Sequence, residues 1–323
     1  MERWIALALI AAGTEAVAQP PAVAPPAAPA MATPPAAIDS ATGEDLSFLT
    51  ADTRMTVPVR VAGEGPFPFV IDTGAQRTVI SRQLARRLGL AAGPRVRLIA
   101  MSSTGEADTV IVPRLSVDTV TAGTLGGERI EAPAIDHALL GAPGMLGIDT
   151  LQGRRLAIDF AAERMTVTPS SAERRTRRAA ADEIVIQARN LFGQLVVTQA
   201  SVAGRKVRVI LDTGTSISIG NAALRRLLGK RDPIASETFT GVLGQPMTGD
   251  YAIVREMTLG SATIQTLPVA FAEAAPFRAF GLADKPAILL GMDALRLFRR
   301  VEIDFARREL RLAMPRQATA AAF

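Results

Sequence analysis

The chain has no cysteine, one histidine (His137) and few aromatic residues, 4% of 323. Without cysteine there is no thiol nucleophile, no disulfide framework and no thiolate metal site, and one histidine cannot build a multi-histidine metal centre. A Ser-His-Asp triad would have to pass through His137, which sits beside Asp136 with no nucleophile motif near it. Carboxylates are therefore the expected acid/base groups if the chain is an enzyme, with no cofactor and no metal. The scarcity of aromatics argues against stacking platforms for nucleic acid or sugar.

What is abundant is apolar, 48% of residues, ample for a core. The charge balance is basic, 36 Lys plus Arg against 31 Asp plus Glu. Arginine pairs such as Arg86-Arg87, Arg225-Arg226 and Arg299-Arg300 are scattered along the chain, which is the distribution of a solvated surface and not of a nucleic-acid patch. Arg174, Arg175, Arg177 and Arg178 do cluster, and they read as an exposed linker.

The N-terminus has the pattern of an export signal: Arg3, an apolar run from Trp4 to Ala12, and the small-x-small string Ala16-Val17-Ala18. The run is shorter than the roughly 20 residues a membrane span needs, so no span is expected in the mature chain. Residues 1–18 are thus expected to be a signal peptide, placing the protein in the periplasm or outside the cell. Residues 19–49 begin with a stretch of almost pure Pro, Ala and Val and are expected to be a disordered tether.

The rest of the chain is an internal repeat. Phe69-Val70-Ile71-Asp72-Thr73-Gly74 leads through Val79-Ile80-Ser81 to Leu84-Ala85-Arg86-Arg87-Leu88-Gly89. Val209-Ile210-Leu211-Asp212-Thr213-Gly214 leads through Ile217-Ser218-Ile219 and Asn221 to Leu224-Arg225-Arg226-Leu227-Leu228-Gly229. The polar residue (Ser81, Asn221) comes nine residues after the aspartate in both copies, and the closing glycine (Gly89, Gly229) seventeen. Downstream, Met145-Leu146-Gly147 and Leu289-Leu290-Gly291 repeat as well, each followed by an Ile-Asp-Phe string and a hairpin-like ending. Two homologous lobes follow, residues 50–168 and 184–313, joined by an Arg-rich linker at 169–183 and followed by a disordered tail at 314–323.

Within each lobe short alternating or apolar runs punctuated by Gly, Pro and Ser predict strands. One short helix per lobe is predicted after Ser81 or Asn221 as N-cap, with glycine as its stop. The expected class is all-β, two pseudo-twofold-related lobes with short helices.

An aspartate placed directly after apolar strand residues is costly to bury unless it is hydrogen-bonded, paired or protonated. One such turn per lobe lets an approximate twofold axis bring Asp72 and Asp212 together, where two carboxylates share a proton. One can then act as general base on a water while the other polarises a carbonyl. Gly74 and Gly214 permit the tight turns, and the hydroxyls of Thr73 and Thr213 would hold them.

Asp72-Thr73-Gly74-Ala75 and Asp212-Thr213-Gly214-Thr215-Ser216 resemble the active-site motifs of the pepsin/retropepsin superfamily of aspartic proteases, and the two hydrophobic-hydrophobic-Gly elements match its packing element. The resemblance spans roughly residues 50–313 and is nearest to bacterial retropepsin-like proteins with two fused lobes. At ordinary composition Asp-Thr-Gly arises on the order of 0.05 times in a chain of this length, so two in matched contexts are specific. The resemblance implies a bilobal acid-protease fold, Asp72 and Asp212 as the catalytic pair, an extended peptide or unfolded protein as substrate, and a monomer with a pseudo-dimeric site. Flap hairpins are expected at residues 97–113 and 238–254, with tips at Ser103-Thr104-Gly105 and Leu243-Gly244-Gln245 contacting substrate. An apolar preference around the cut is expected. Asp149 and Asp293 read as N-caps of the helices that follow them. Two other readings stand beside the protease: a catalytically silent peptide-binding or scaffold protein with the same fold, and a nucleic-acid binder, which the scattered arginines disfavour.

Overall fold

The structure, a computed structural model, describes residues 5–7, 10–11, 44–47, 49–51, 54–91, 95–100, 106–119, 129–170, 178–180, 182–191, 194–229, 235–241, 246–272 and 274–315. Strands dominate, with a few helices of four to six residues between them. The two lobes repeat one plan. In the first, strand Arg54–Val61 pairs antiparallel with Glu64–Ile71; in the second, Gln194–Val202 pairs with Arg205–Leu211. Both hairpins turn on an Ala-Gly pair with positive φ, Ala62-Gly63 (51° and 82°) and Ala203-Gly204 (50° and 72°), the conformation that matches the natural twist of the flanking strands.

The second strand of each hairpin delivers the aspartate, and the chain then returns to lock it. Gly144–Leu146 runs parallel to Glu64–Ile71, with Leu146 opposite Ile71, and antiparallel to Val79–Ser81. In the second lobe Ala287–Leu290 runs parallel to Arg205–Leu211, with Leu290 opposite Leu211, and antiparallel to Ile219–Gly220. These are the two hydrophobic-hydrophobic-Gly elements. They carry near-continuous apolar runs because both of their faces are buried.

The helices are Arg82–Arg87 and Ala222–Leu227. Ser81 Oγ accepts from Leu84 N–H at 3.1 Å and Asn221 Oδ1 from Leu224 N–H at 2.9 Å, and Gly89 and Gly229 leave each helix at φ +62° and +76°. The sequence-based N-caps and stops therefore hold.

The lobes are joined by backbone. The hairpin Arg154–Asp159/Arg164–Pro169 of the first lobe and Arg300–Asp304/Glu309–Ala313 of the second pair edge to edge, Ile158 opposite Val301, and Glu183–Leu191 extends the sheet beyond Glu309–Ala313. One face of this sheet presents Leu156, Ile158, Val301, Ile303, Leu310 and Leu312 to the common core. The other carries a buried ion cluster, Arg311 with Glu309 at 2.6 Å, Glu183 at 3.1 Å and Glu302 at 3.9 Å. Removing Arg311 would leave the buried carboxylates around it without their common cation, so the cluster ties linker-side Glu183 to the last hairpin.

The expected flap hairpins have paired strands: Arg95–Ala100 with Glu106–Thr119 and Ala235–Gly241 with Pro246–Leu259. Ile5–Leu7 lies parallel to Arg95–Ala100 and Ile10–Ala11 antiparallel to Ala235–Gly241. Glu44–Ser47, inside the stretch expected as a tether, lies along Arg164–Pro169. Residues 12–43, 171–177 and 316–323, most of the expected tether, linker and tail, lie outside the described residues. Among the described residues no helix is long and apolar enough to cross a membrane.

Candidate active site

Asp72 and Asp212 each follow the last residue of a core strand, and each is held by its own backbone N–H to the parallel neighbour, Leu146 and Leu290 respectively, both at 3.0 Å. Both are fully buried. Asp72 Oδ1 accepts from Gly74 N–H at 2.7 Å and Ala75 N–H at 3.0 Å; Asp212 Oδ1 accepts from Gly214 N–H at 3.0 Å. The Oδ2 atoms of both have no partner among the described residues.

The carboxyl groups meet across the lobes. A Cβ added to Gly74 would stand 2.5 Å from Asp212 Cγ, and one added to Gly214 would stand 2.3 Å from Asp72 Cγ. Each glycine is thus a seat for the opposite lobe's carboxyl, a closer reason for its presence than turn formation. The threonines interlock the two turns. Thr73 N–H donates to Thr213 Oγ1 and Thr213 N–H to Thr73 Oγ1, both at 3.1 Å. Each hydroxyl donates in turn to the carbonyl before the opposite aspartate, Thr73 to Leu211 and Thr213 to Ile71, both at 2.9 Å. Four inter-lobe hydrogen bonds therefore fix the spacing of the two carboxyls.

Burial pushes both carboxyls up: Asp72 rises well above the ordinary carboxylate range, first from desolvation and then from the charge of Asp212, and Asp212 rises to about 7, again from desolvation. Two such groups in contact hold a proton between them at neutral pH.

A lower tier supports each turn. Thr78 donates both N–H (2.9 Å) and hydroxyl (2.7 Å) to Asp149 Oδ1 and accepts from Gly147 N–H at 3.1 Å. Ser218 repeats this with Asp293, hydroxyl to Oδ1 at 2.7 Å and N–H to Oδ2 at 3.0 Å, accepting from Gly291 N–H at 3.1 Å. The glycines are again required: a Cβ on Gly147 would lie 2.4 Å from Arg77 C and one on Gly291 2.3 Å from Ile217 O. Asp149 and Asp293 are not the N-caps expected from sequence; Gly147 and Gly291 hold that place, and the carboxylates, two residues further on, reach back to Thr78 and Ser218, with Asp293 also accepting from Ala294 N–H at 2.8 Å. One further residue was invisible to the repeat. Gln194, fully buried, donates its amide Nε2 to the Gly74 carbonyl across the lobe boundary.

A family model described as "Aspartyl protease" matches residues 57–150 and 196–294. The chain belongs to the aspartyl protease family. Both matched stretches hold one Asp-Thr-Gly turn and its Gly element, so the match falls once on each lobe, and this protease family acts on peptide bonds. Comparison with curated proteins finds no match. As to the other sequence-predicted positions, Ser103, Thr104, Gly105, Leu243, Gly244 and Gln245 lie outside the described residues. His137 is exposed at the start of the helix His137–Leu140, its N–H on Gln83 Oε1 at 2.9 Å, in another part of the first lobe.

Proposed function

We propose that this aspartyl protease is an endopeptidase whose catalytic pair is Asp72 and Asp212. One observation carries the reading: two buried carboxyls are pinned through Oδ1 to their own turns, seated on each other's glycines, and left, among the described residues, with no donor to either Oδ2 but the other carboxyl. In the singly protonated pair, the ionised carboxylate takes a proton from a water as its oxygen attacks the scissile carbonyl carbon, while the protonated carboxyl donates to the carbonyl oxygen. The tetrahedral diol then collapses: the leaving nitrogen takes the pair's proton, the C–N bond breaks, and one diol hydroxyl gives its proton to the ionised carboxylate as the new carboxyl group forms, which returns the pair to one proton. The crossed threonines keep the carboxyls at working distance throughout, so little reorganisation is needed in the barrier.

The substrate is an extended peptide or unfolded protein, paired along the two hairpins by backbone bonds, with apolar residues at the cut. The signal-like pattern of residues 1–18 supports export to the periplasm or beyond the cell, and in this reading one chain supplies both halves of the site. Cleavage of a peptide library by the purified full chain between pH 4 and 8 tests the reading. Asp72→Asn and Asp212→Asn should each lower kcat/KM by at least about 1,000-fold with the fold retained by circular dichroism. Unchanged cleavage by either variant removes that residue from the pair. Tight binding of peptides without cleavage by the wild-type chain would point to the silent peptide-binding alternative.

A further inference from the structure

Gln194 opens the strand Gln194–Val202 of the second lobe, opposite Leu191 in the hairpin with Glu183–Leu191. A polar side chain with no exposure at all needs both its amide groups satisfied. Its Nε2 donates to the Gly74 carbonyl, which fixes the amide's orientation because that oxygen can only accept, yet its Oε1 is buried with no partner among the described residues. A methionine or leucine would fill the same space without the desolvation cost of the orphan oxygen. The amide therefore has a use other than packing.

The use lies one bond further on. The Gly74 carbonyl and the Ala75 N–H belong to the same planar peptide unit, and the Ala75 N–H donates to Asp72 Oδ1 at 3.0 Å. Gln194, the Gly74–Ala75 peptide and Asp72 thus form a continuous chain of hydrogen bonds from the second lobe to the first lobe's carboxyl. In such a chain each donor polarises the next, so the Ala75 N–H becomes a stronger donor to a negative oxygen. The groups facing the Asp72 carboxyl are the Gly74 and Ala75 N–H groups, the Gly214 backbone and one titratable neighbour, Asp212. The counterpart of Gln194 in the first lobe, 140 residues earlier as for the paired threonines, is Arg54, so the repeat does not supply a second glutamine.

We propose that Gln194 is a positioning residue that braces the Gly74–Ala75 peptide from the opposite lobe and stabilises negative charge on Asp72, so that the charge of the singly protonated pair is shared with Asp72 instead of resting on Asp212 alone. This rests on the peptidase reading above. It supports one of the two chemically identical aspartates through a residue that touches neither.

The test compares the full chain with Gln194→Met and Gln194→Glu. The first removes the donor at similar volume. Its pair should lose the first proton at higher pH, moving the acidic limb of the kcat/KM profile up by about half a pH unit, roughly threefold in an ionisation constant, with kcat down about three- to tenfold and KM within about twofold. Gln194→Glu should keep activity on the acid side, where a protonated glutamic acid again donates to the Gly74 carbonyl, and lose it as the acid ionises, at a pH above the ordinary glutamate range because the site is buried. A lower Tm or kcat with the acidic limb in its wild-type place, or a glutamate variant with no acid-side recovery, overturns the proposal and leaves Gln194 as packing only. An independent readout is the carboxyl carbon resonances of aspartate-labelled protein, with the Asp72 signal assigned from Asp72→Asn. If the wild-type chain cleaves no peptide, the peptidase reading fails, while a shifted Asp72 titration in Gln194→Met still supports the brace and an unshifted one still sinks it. If Gln194→Met does not fold, the glutamate variant's resonances decide between the same two outcomes.

Discussion

The two lobes agree wherever their aspartates meet and differ one layer below. The threonine bonds are equal in both directions, 3.1 Å and 2.9 Å each, and each glycine seats the other lobe's carboxyl. Beneath, the supports diverge. Asp149 gathers both Thr78 bonds on one oxygen, and its Oδ2 has no partner among the described residues, whereas Asp293 uses both oxygens for Ser218 and accepts Ala294 N–H at 2.8 Å besides. Gln194 braces the first lobe's turn and no glutamine stands at its counterpart. The proposed reaction needs two carboxyls in register and so constrains the contact between them; the scaffolding behind each carboxyl has only to deliver it there, and it can drift.

The strongest attack on the symmetry is at its seats. Gly74→Ala and Gly214→Ala each drive a methyl to within about 2.5 Å of the opposite carboxyl carbon, a distance no pair of unbonded atoms tolerates, and the atom in the way is part of a buried turn with no room to yield. Each variant should lose at least about 100-fold in kcat/KM by separating the carboxyls, and the two losses should be alike. A large loss in one lobe and a small one in the other would show that one carboxyl can retreat, and the agreement between the lobes would be only geometric.

Much of this was legible in the sequence, because the repeat is long and ungapped around each turn. The pairing of Asp72 with Asp212, the holding role of Thr73 and Thr213, the N-caps Ser81 and Asn221, and the strand character of the lobes all follow from types and spacings that occur twice, whereas the crossing of the threonines between the lobes shows only in the structure. The Asp149 and Asp293 carboxylates were placed correctly in sequence and wrongly in space. Local pattern offers an aspartate near a helix start one partner, the helix N-terminus, while the partners that the two lobes share, Thr78 and Ser218, are about seventy residues away in sequence. Gln194 was illegible for the opposite reason: it has no copy in the other lobe, and a lone buried glutamine at a strand start carries no motif.

A second measurement probes what the lobes share. Both central carboxyls have folded pKa values raised above the ordinary 3.8, so the folded state holds a proton that the unfolded chain releases. Their contribution to stability is fully present below about pH 4 and is lost as pH rises toward and through about 7, the value reached by Asp212. Wild-type Tm should therefore fall between pH 4 and pH 8. Asp212→Asn, which replaces one carboxyl by an amide that can donate to Asp72, should flatten that fall and exceed the wild-type Tm at pH 8 by about 3 °C or more. Equal slopes for the two proteins would mean that the pair is not the source of the dependence.

The smallest expected effect separates the lobes most cleanly. In Asp149→Asn the amide oxygen can still take both Thr78 bonds, and the new NH2 group replaces an oxygen that had no partner. In Asp293→Asn one of two engaged oxygens becomes a donor, so either the Ser218 N–H or the Ser218 hydroxyl loses its acceptor. The cost in the second lobe should be about 1–2 kcal/mol by urea unfolding, and in the first close to zero. Burial raises both carboxyls above their ordinary value, more than their hydroxyl and backbone donors pull them down. Each folded site therefore loses stability as pH rises through its raised value, and removing the charge should favour Asp149→Asn increasingly toward pH 8. Matching costs in the two lobes would mean that the different use of the carboxylate oxygens has no energetic consequence, and that the lower tier is as symmetric in energy as the upper tier is in geometry.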